Sequence, residues 1–165
     1  MKKPLLALAA LTLFGLTAHS RSAEAQQFTL RASADIQPIV AFADNGQVLS
    51  LDKAGSLGIH IAPGLRLASI LTLEVDLVPR IPLAGQNFNF TVLPGVFLDL
   101  WLLYVRGGVP ISFIVNGDPN FAIEGGVGIS FLGKGHVGLA VNYNFTAKTF
   151  QLLGLEVGYR FDLGG

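Results

Sequence analysis

Apolar and polar residues alternate along most of this chain with a period of two. In residues 153–161 the odd positions are Leu, Leu, Val, Tyr and Phe, and the even positions are Gly, Glu, Gly and Arg. The same alternation recurs in residues 28–42, where apolar positions oppose Arg31, Ser33 and Asp35. Alternation over this length predicts β-strands rather than helices.

The repeated alternation predicts an all-β protein with eight antiparallel strands. The predicted strands are 28–42, 57–67, 70–79, 88–98, 101–113, 121–131, 136–145 and 150–163. Tight connectors such as 68–69, 99–100 and 133–135 alternate with longer ones such as 43–56 and 80–87. This arrangement is typical of an up-and-down transmembrane barrel, which has short turns at its periplasmic end and longer loops outside.

The cations indicate which face of the strands points into the barrel. After residue 25 the five arginines all lie in the polar phase of a predicted strand or at its end, whereas the three lysines lie in connectors. Arginine binds carboxylates through a rigid fork and stays charged when buried. A solvated outer face would favour lysine and would not separate the two cations. We therefore expect paired charges inside the barrel and apolar side chains against lipid.

Acidic residues in the same phase complete a predicted interior charge network. Its predicted members are Arg31, Asp35, Arg66, Glu74, Asp76, Arg106, Glu124, Glu156 and Arg160. Arg106 and Arg160 are expected to contact carboxylates drawn from Glu74, Glu124 and Glu156. Glycines in the same phase have two interpretations. They make room for arginine side chains in a narrow lumen, or they leave a polar cavity or pore; we favour the first.

The N-terminus predicts export from the cytoplasm. Lys2 and Lys3 precede an apolar run over 4–18, and small residues follow at Ala23 and Ala25. This is the pattern of a cleavable signal peptide over 1–25, which leaves 26–165 as one barrel domain. The alternative, a membrane anchor, is disfavoured because a spanning helix needs about 20 apolar residues.

Composition after the signal excludes several classes of function. Eight cations and ten anions remain, so the net charge is −2 and nucleic acid is not an expected partner. Without cysteine, neither disulfides nor thiolate metal sites can form. The oxygen-rich segment 116–120 has the residues of a turn rather than the spacing of a calcium loop. We expect no metal and no cofactor.

Two histidines are the remaining candidates for catalysis. His60 is predicted to point inward at mid-strand and His136 to lie at the periplasmic end, and the chain has no Gly-x-Ser-x-Gly motif. A histidine bonded to a carboxylate inside the barrel is the simpler interpretation. We therefore predict that the protein is not an enzyme.

The final strand resembles that of small eight-stranded outer-membrane proteins of the OmpA/OmpX type. Gly158-Tyr159-Arg160-Phe161 is similar to the C-terminal signal read by the barrel-assembly machinery, with Tyr159 and Phe161 as the aromatic pair. Members of the family usually end on the aromatic residue, whereas this chain continues through 162–165.

The resemblance implies a monomer in the bacterial outer membrane. The implied partners are outer-membrane lipid and lipopolysaccharide, together with the barrel-assembly machinery and periplasmic chaperones. Family members serve as structural anchors, adhesion or defence proteins, and lipid enzymes.

For this chain we expect a non-enzymatic structural or surface-interaction role. The alternatives are a narrow pore or small-ligand carrier through the lumen, and a soluble periplasmic barrel of lipocalin type. The last would place the polar phase, with its arginines, outside.

Overall fold

The structure, a computed structural model, describes residues 27–43, 45–50, 55–83, 87–114, 117–132 and 134–163. The predicted signal peptide and Asn116 of the predicted turn lie outside these residues. Within these ranges no helix is long and apolar enough to cross a membrane.

The described strands form one antiparallel sheet that closes on itself. They are β1 (Gln27–Ala43), β2 (Val48–Ser50), β3 (Ser56–Ala68), β4 (Leu71–Pro82), β5 (Asn89–Leu100), β6 (Leu103–Gly108), β7 (Ile111–Ile114), β8 (Asn120–Phe131), β9 (Gly135–Asn144) and β10 (Thr149–Leu163). Pairing of β10 with β1, from Phe28 opposite Leu163 to Ala43 opposite Thr149, closes the ring.

The ten strands correspond to the eight predicted passes along the barrel wall. β6 and β7 keep one register against β5 and against β8, so they form a single pass interrupted at Val109 and Pro110. Pro110 has no N–H to donate to a ladder, and Val109 N donates to the Pro94 carbonyl at 3.1 Å. The short β2 pairs with the same edge of β1 as β3 does. The eight-stranded up-and-down barrel is confirmed.

Two predicted connectors are wrong in detail. The segment 43–56 is not only a loop, because Val48–Ser50 folds back on β1 as β2. Asp99 and Leu100 belong to β5, and the tight turn follows at Trp101 and Leu102. Trp101 has a φ of 72°, in the left-handed region that tight turns require. The extra pair of β5 residues brings the Asp99 side chain to the rim of the lumen.

Apolar side chains cover the outside of the barrel and polar side chains fill the inside. Ile59, Val127 and Phe161 are 46%, 57% and 45% exposed, whereas Arg31 and Asp76 are 1% and 0% exposed. This distribution is that of a transmembrane barrel, whose outer face contacts lipid. It is the reverse of a soluble lipocalin-type barrel, so that alternative is wrong.

Candidate functional site

A network of ion pairs fills the lumen at mid-height, and we call this network the plug. Its members are each no more than 8% exposed: Arg31, Asp35, His60, Glu74, Asp76, Arg80, Arg106, Glu124 and Glu156. Alternation along the strands turns all of these side chains inward. Because they are held away from water, each charged group needs a nearby partner of opposite charge.

Arg31 on β1 is one centre of the plug. Its Nη2 lies 2.8 Å from both Glu74 Oε1 and Asp76 Oδ2, and Nη1 donates to Ser33 Oγ at 2.8 Å. Nη1 also pairs with Glu156 on β10. A single guanidinium, with five N–H donors in a fixed fork, therefore joins three carboxylates from two strands.

Arg106 on β6 is the second centre. Its Nη2 lies 2.6 Å from Glu124 Oε1 and 2.9 Å from Glu156 Oε2, and Nη1 lies 3.8 Å from Asp76 Oδ2. The stem of Arg106 passes over Gly126, where an added Cβ would come within 2.9 Å of Nε. The interpretation of this glycine as room for an arginine is confirmed.

Arg80 and His60 extend the plug towards the end of the barrel with the longer connectors. Arg80 forks onto Asp35, with Nη1–Oδ1 and Nη2–Oδ2 both at 2.9 Å. The ring of His60 bridges two carboxylates: Nδ1 lies 2.6 Å from Asp76 Oδ2 and Nε2 lies 3.1 Å from Asp35 Oδ2. Gly58 leaves the space that Asp35 and Arg80 occupy.

Two histidines lie against carboxylates of the plug. Three arginines face five carboxylates in this network. His60 lies between two of these carboxylates, and His136 Nε2 lies 3.4 Å from Glu156 Oε1. Both rings therefore add polar contacts to carboxylates that the arginines already contact.

A layer of aromatic rings closes the lumen on the tight-turn side of the plug. Phe97 and Tyr104 stack with ring centroids 4.9 Å apart, and His136 meets Tyr104 edge-on at 5.4 Å. Gly128 and Gly138 face Tyr104 so closely that a Cβ on either would overlap its ring or hydroxyl. Two layers of side chains therefore close the lumen: the ion-paired residues of the plug and the aromatic rings next to it.

The positions of Phe97 and Tyr104 in the lumen were not predicted from the sequence. Both occupy the polar phase of their strands, opposite the lipid-facing Val96 and Val105. Gly128 and Gly138 are direct partners across β8 and β9. This aromatic layer could have been predicted from two features of the sequence: aromatic residues in the polar phase of their strands, and glycines at facing positions of two neighbouring strands.

Arg160 and Arg66 lie outside the plug. Arg160 pairs with Asp99, and its guanidinium lies 5.3 Å from the Phe97 ring centroid. The prediction that it contacts Glu74, Glu124 or Glu156 is wrong. Arg160 is the direct partner of Arg31 in the β1–β10 register, so like charges drive the two side chains apart and Arg160 turns to the rim.

The rim at the tight-turn end carries the other predicted residues. Arg66 Nη2 lies 3.4 Å from Asp162 Oδ1, and Lys134 lies near the same carboxylate. Tyr159 and Phe161 lie on the lipid-facing side of β10, with ring centroids 5.0 Å apart. These two aromatic residues are therefore available to contacts from outside the barrel.

The lumen opens on the side of the plug away from the tight turns. A cavity of about 340 Å³ lies there, lined by residues from the longer-connector ends of the strands. We call this cavity the vestibule. Its lining includes Arg80 and Glu124 of the plug, which separates it from the aromatic layer.

No family model and no curated protein matches the sequence. Among solved structures, the chain is similar to a de novo designed transmembrane β-barrel (TM-score 0.49, 7% identity, 87% of this chain and 100% of that one). It is also similar to the attachment invasion locus protein Ail of Yersinia pestis (0.48, 12%, 84% and 99%) and to Neisserial surface protein A (0.43, 14%, 83% and 97%). The closed ring and its outward apolar side chains identify the barrel fold independently of these likenesses.

Proposed function

We propose that this protein is a non-enzymatic integral protein of the bacterial outer membrane with a closed lumen and a structural or surface-interaction role. The closed lumen is proposed from the ion pairs of the plug. Arg31 and Arg106 together contact Glu74, Asp76 and Glu156 on strands from different sides of the ring. A barrel closed by paired charges offers a rigid wall rather than a path for solutes.

Placement in the outer membrane is supported by physical features of the chain. The outer face is apolar, as the wall of a barrel in contact with lipid is, and the closed ring satisfies the backbone hydrogen bonds of its strands. The predicted signal peptide over 1–25 would direct export. A protein of the OmpA/OmpX type would reach its membrane through periplasmic chaperones and the barrel-assembly machinery, which would read Tyr159 and Phe161.

In that membrane the expected contacts are lipid and lipopolysaccharide along the apolar wall, and the protein is proposed to act as a monomer. His60 and His136 are buried and face plug carboxylates. This supports a structural role for the two rings within the network.

Cell fractionation tests the proposal. The protein, expressed with its own N-terminus in a Gram-negative host, should be found in the outer-membrane fraction and should resist carbonate and urea. It should also migrate differently on gels before and after boiling, as a folded barrel does. A variant lacking 2–25 is the matched control and should stay in the cytoplasm. Release of the full-length protein by carbonate without detergent would contradict the proposal.

A second candidate function is supported by the vestibule. The lumen is closed at mid-height but open above it, so a small molecule could enter from one side without crossing the barrel. This favours ligand binding over transport as the alternative role.

A further inference from the structure

The vestibule has the size of a small-molecule site. Its volume of about 340 Å³ falls at the low end of the range of about 300–1,000 Å³ found for ligand pockets. The plug closes one end of the cavity, and the cavity is open at the other. A ligand would therefore enter and leave by the same route.

The vestibule presents no net charge to a ligand. Of its described lining residues only Arg80 and Glu124 are charged. Arg80 is held by Asp35 at 2.9 Å through both nitrogens, and Glu124 Oε1 is held by Arg106 Nη2 at 2.6 Å. Both charged groups are already paired within the plug, so neither is left to pair with an ion that enters the vestibule.

The walls of the vestibule are instead rich in neutral hydrogen-bonding groups. Five side-chain amides line it: Gln37, Asn89, Asn142, Asn144 and Gln151. Each amide carries both a donor and an acceptor. Hydroxyls of Thr91 and Ser112, which bond each other at 2.8 Å, lie among them. Such a lining matches a solute whose groups also donate and accept.

Two of these amides are fixed in orientation by the protein. Asn142 Nδ2 donates to Glu124 Oε2 at 3.3 Å, so its Oδ1 is left to accept. Asn144 Oδ1 accepts from the backbone N–H of Thr146 and Ala147 at 2.9 and 2.8 Å, so its Nδ2 is left to donate. Asn142 and Asn144 lie two residues apart on the same face of β9. The vestibule therefore holds an acceptor and a donor that are already positioned before a ligand arrives.

Asn89 provides an independent indication of a missing partner. It lines the vestibule, and its Oδ1 is buried without a hydrogen bond to any described residue. The great majority of buried polar side-chain atoms in proteins have a hydrogen-bond partner. A ligand hydroxyl at this position would supply the donor that Asn89 lacks.

We propose that the vestibule binds a small uncharged polyhydroxylated molecule of about the size of a monosaccharide. Asn89 accepts from one ligand hydroxyl, Asn142 accepts from another, and Asn144 donates to a ligand oxygen. The proposal deepens the ligand-binding alternative for the lumen, and it rests on the barrel being folded in a membrane with the vestibule open to water.

Nuclear magnetic resonance of the labelled full-length barrel in lipid nanodiscs tests this site, with D-glucose as the probe. We expect saturable shifts of the amide signals of Asn89, Asn142 and Asn144, and none at the aromatic layer beyond the plug.

Asn89→Leu, which keeps the shape but removes the acceptor, should weaken binding about tenfold or more. Ala122→Trp, which points an indole into the vestibule, should abolish it. Phe90→Leu, adjacent in sequence but facing lipid, is the matched control and should bind as the wild type does.

Three results would overturn the site. They are no saturable shift at about 50 mM glucose, tighter binding of gluconate or glucosamine than of glucose, and shifts that survive Asn89→Leu. The gel shift on boiling, measured for each variant, reports folding separately. If Ala122→Trp fails to fold, Asn89→Leu decides alone. Absence of glucose binding by the wild-type protein, with its gel shift on boiling intact, would end this inference and leave the membrane barrel standing.

Discussion

Arg106 and Glu156 form an ion pair across the lumen, with Arg106 Nη2 2.9 Å from Glu156 Oε2. The strands that carry them, β6 and β10, are not neighbours in the ring. The pair therefore spans the interior instead of reinforcing one ladder. Glu156 also pairs with Arg31, and both arginines lie near Asp76, so the two arginine centres of the plug share two carboxylates and form one network.

Removing Arg106 should destabilise the barrel strongly. Arg106→Leu leaves Glu124 and Glu156 buried with too few partners, and breaking a buried pair from one side costs about 3–5 kcal/mol. Denaturant unfolding in lipid vesicles, followed by the fluorescence of the single tryptophan, Trp101, measures this change in free energy.

The control for Arg106 is an ion pair at the rim. Lys134 lies 3.5 Å from Asp162, and its side chain is 43% exposed. Lys134→Ala should cost less than about 1 kcal/mol, because water screens such pairs. Equal losses in the two variants would mean that Arg106 is solvated and that the plug does not close the lumen.

The fit of Tyr104 against Gly138 gives a second prediction. A Cβ at Gly138 would overlap the Tyr104 hydroxyl and would lie 2.6 Å from the Val127 carbonyl oxygen. Gly138→Ala should therefore lower the free energy of unfolding by about 1–3 kcal/mol, as overpacking does. Tyr104→Phe in the same chain should recover part of the loss, and a double-mutant cycle measures the recovery.

Gly107 offers the matched control for Gly138. An added Cβ there meets only the Glu124 carbonyl oxygen, at 3.8 Å. Gly107→Ala should leave stability unchanged or slightly raised, since alanine loses less conformational freedom on folding. If Gly107→Ala lowers the free energy of unfolding as much as Gly138→Ala does, the cost comes from the backbone of strand glycines and not from overlap with Tyr104.

The partner of Arg160 gives a third prediction. The structure pairs Arg160 with Asp99, separate from the plug. A double-mutant cycle of Arg160→Met with Asp99→Asn should give a coupling energy of about 0.5–3 kcal/mol, the range for residues in contact. The cycle of Arg160→Met with Glu124→Gln should give none. A larger coupling energy with Glu124 than with Asp99 would place Arg160 in the plug and refute the register at this end of β10.

Local alternation was enough to predict which way most side chains point. Successive residues of a strand face opposite sides, so Arg31, Asp35, Glu74, Asp76, Arg106, Glu124 and Glu156 could be placed inside from neighbouring residues alone. The same rule placed Tyr159 and Phe161 outside. The even number of passes leaves the first and last strands antiparallel, as the pairing of β10 with β1 requires.

Which carboxylate each arginine meets could not be predicted in the same way. Ion-pair partners depend on the register between strands and on the tilt of the barrel, which are long-range properties. Arg160 went to Asp99 because β5 extends further than its alternation indicated. The inward position of Phe97 and Tyr104 could not be predicted from their own strands, because an aromatic ring fits inside the barrel only where glycines on other strands leave room for it.

Contact of the outer wall with lipid gives a fourth prediction, which depends on depth. Val127 pairs with Leu139 within the β8–β9 ladder and faces outward, whereas Leu132 lies at a turn tip. Val127→Arg should destabilise the folded barrel in vesicles by about 2–4 kcal/mol if it lies near the bilayer centre, and Leu132→Arg by about 0–1 kcal/mol. Equal small effects of the two substitutions would place both in water and contradict a membrane-spanning wall.

Ionic current through single barrels in planar lipid bilayers tests the closed lumen most directly. We expect no steady channel for the wild-type protein at either polarity, because the plug and the Phe97–Tyr104 layer each block the path. Arg106→Leu should also stay closed, since the aromatic layer remains. A reproducible open state in the wild-type protein, with an amplitude that changes in Arg106→Leu or Glu124→Gln, would contradict the account and show that ions pass through the plug.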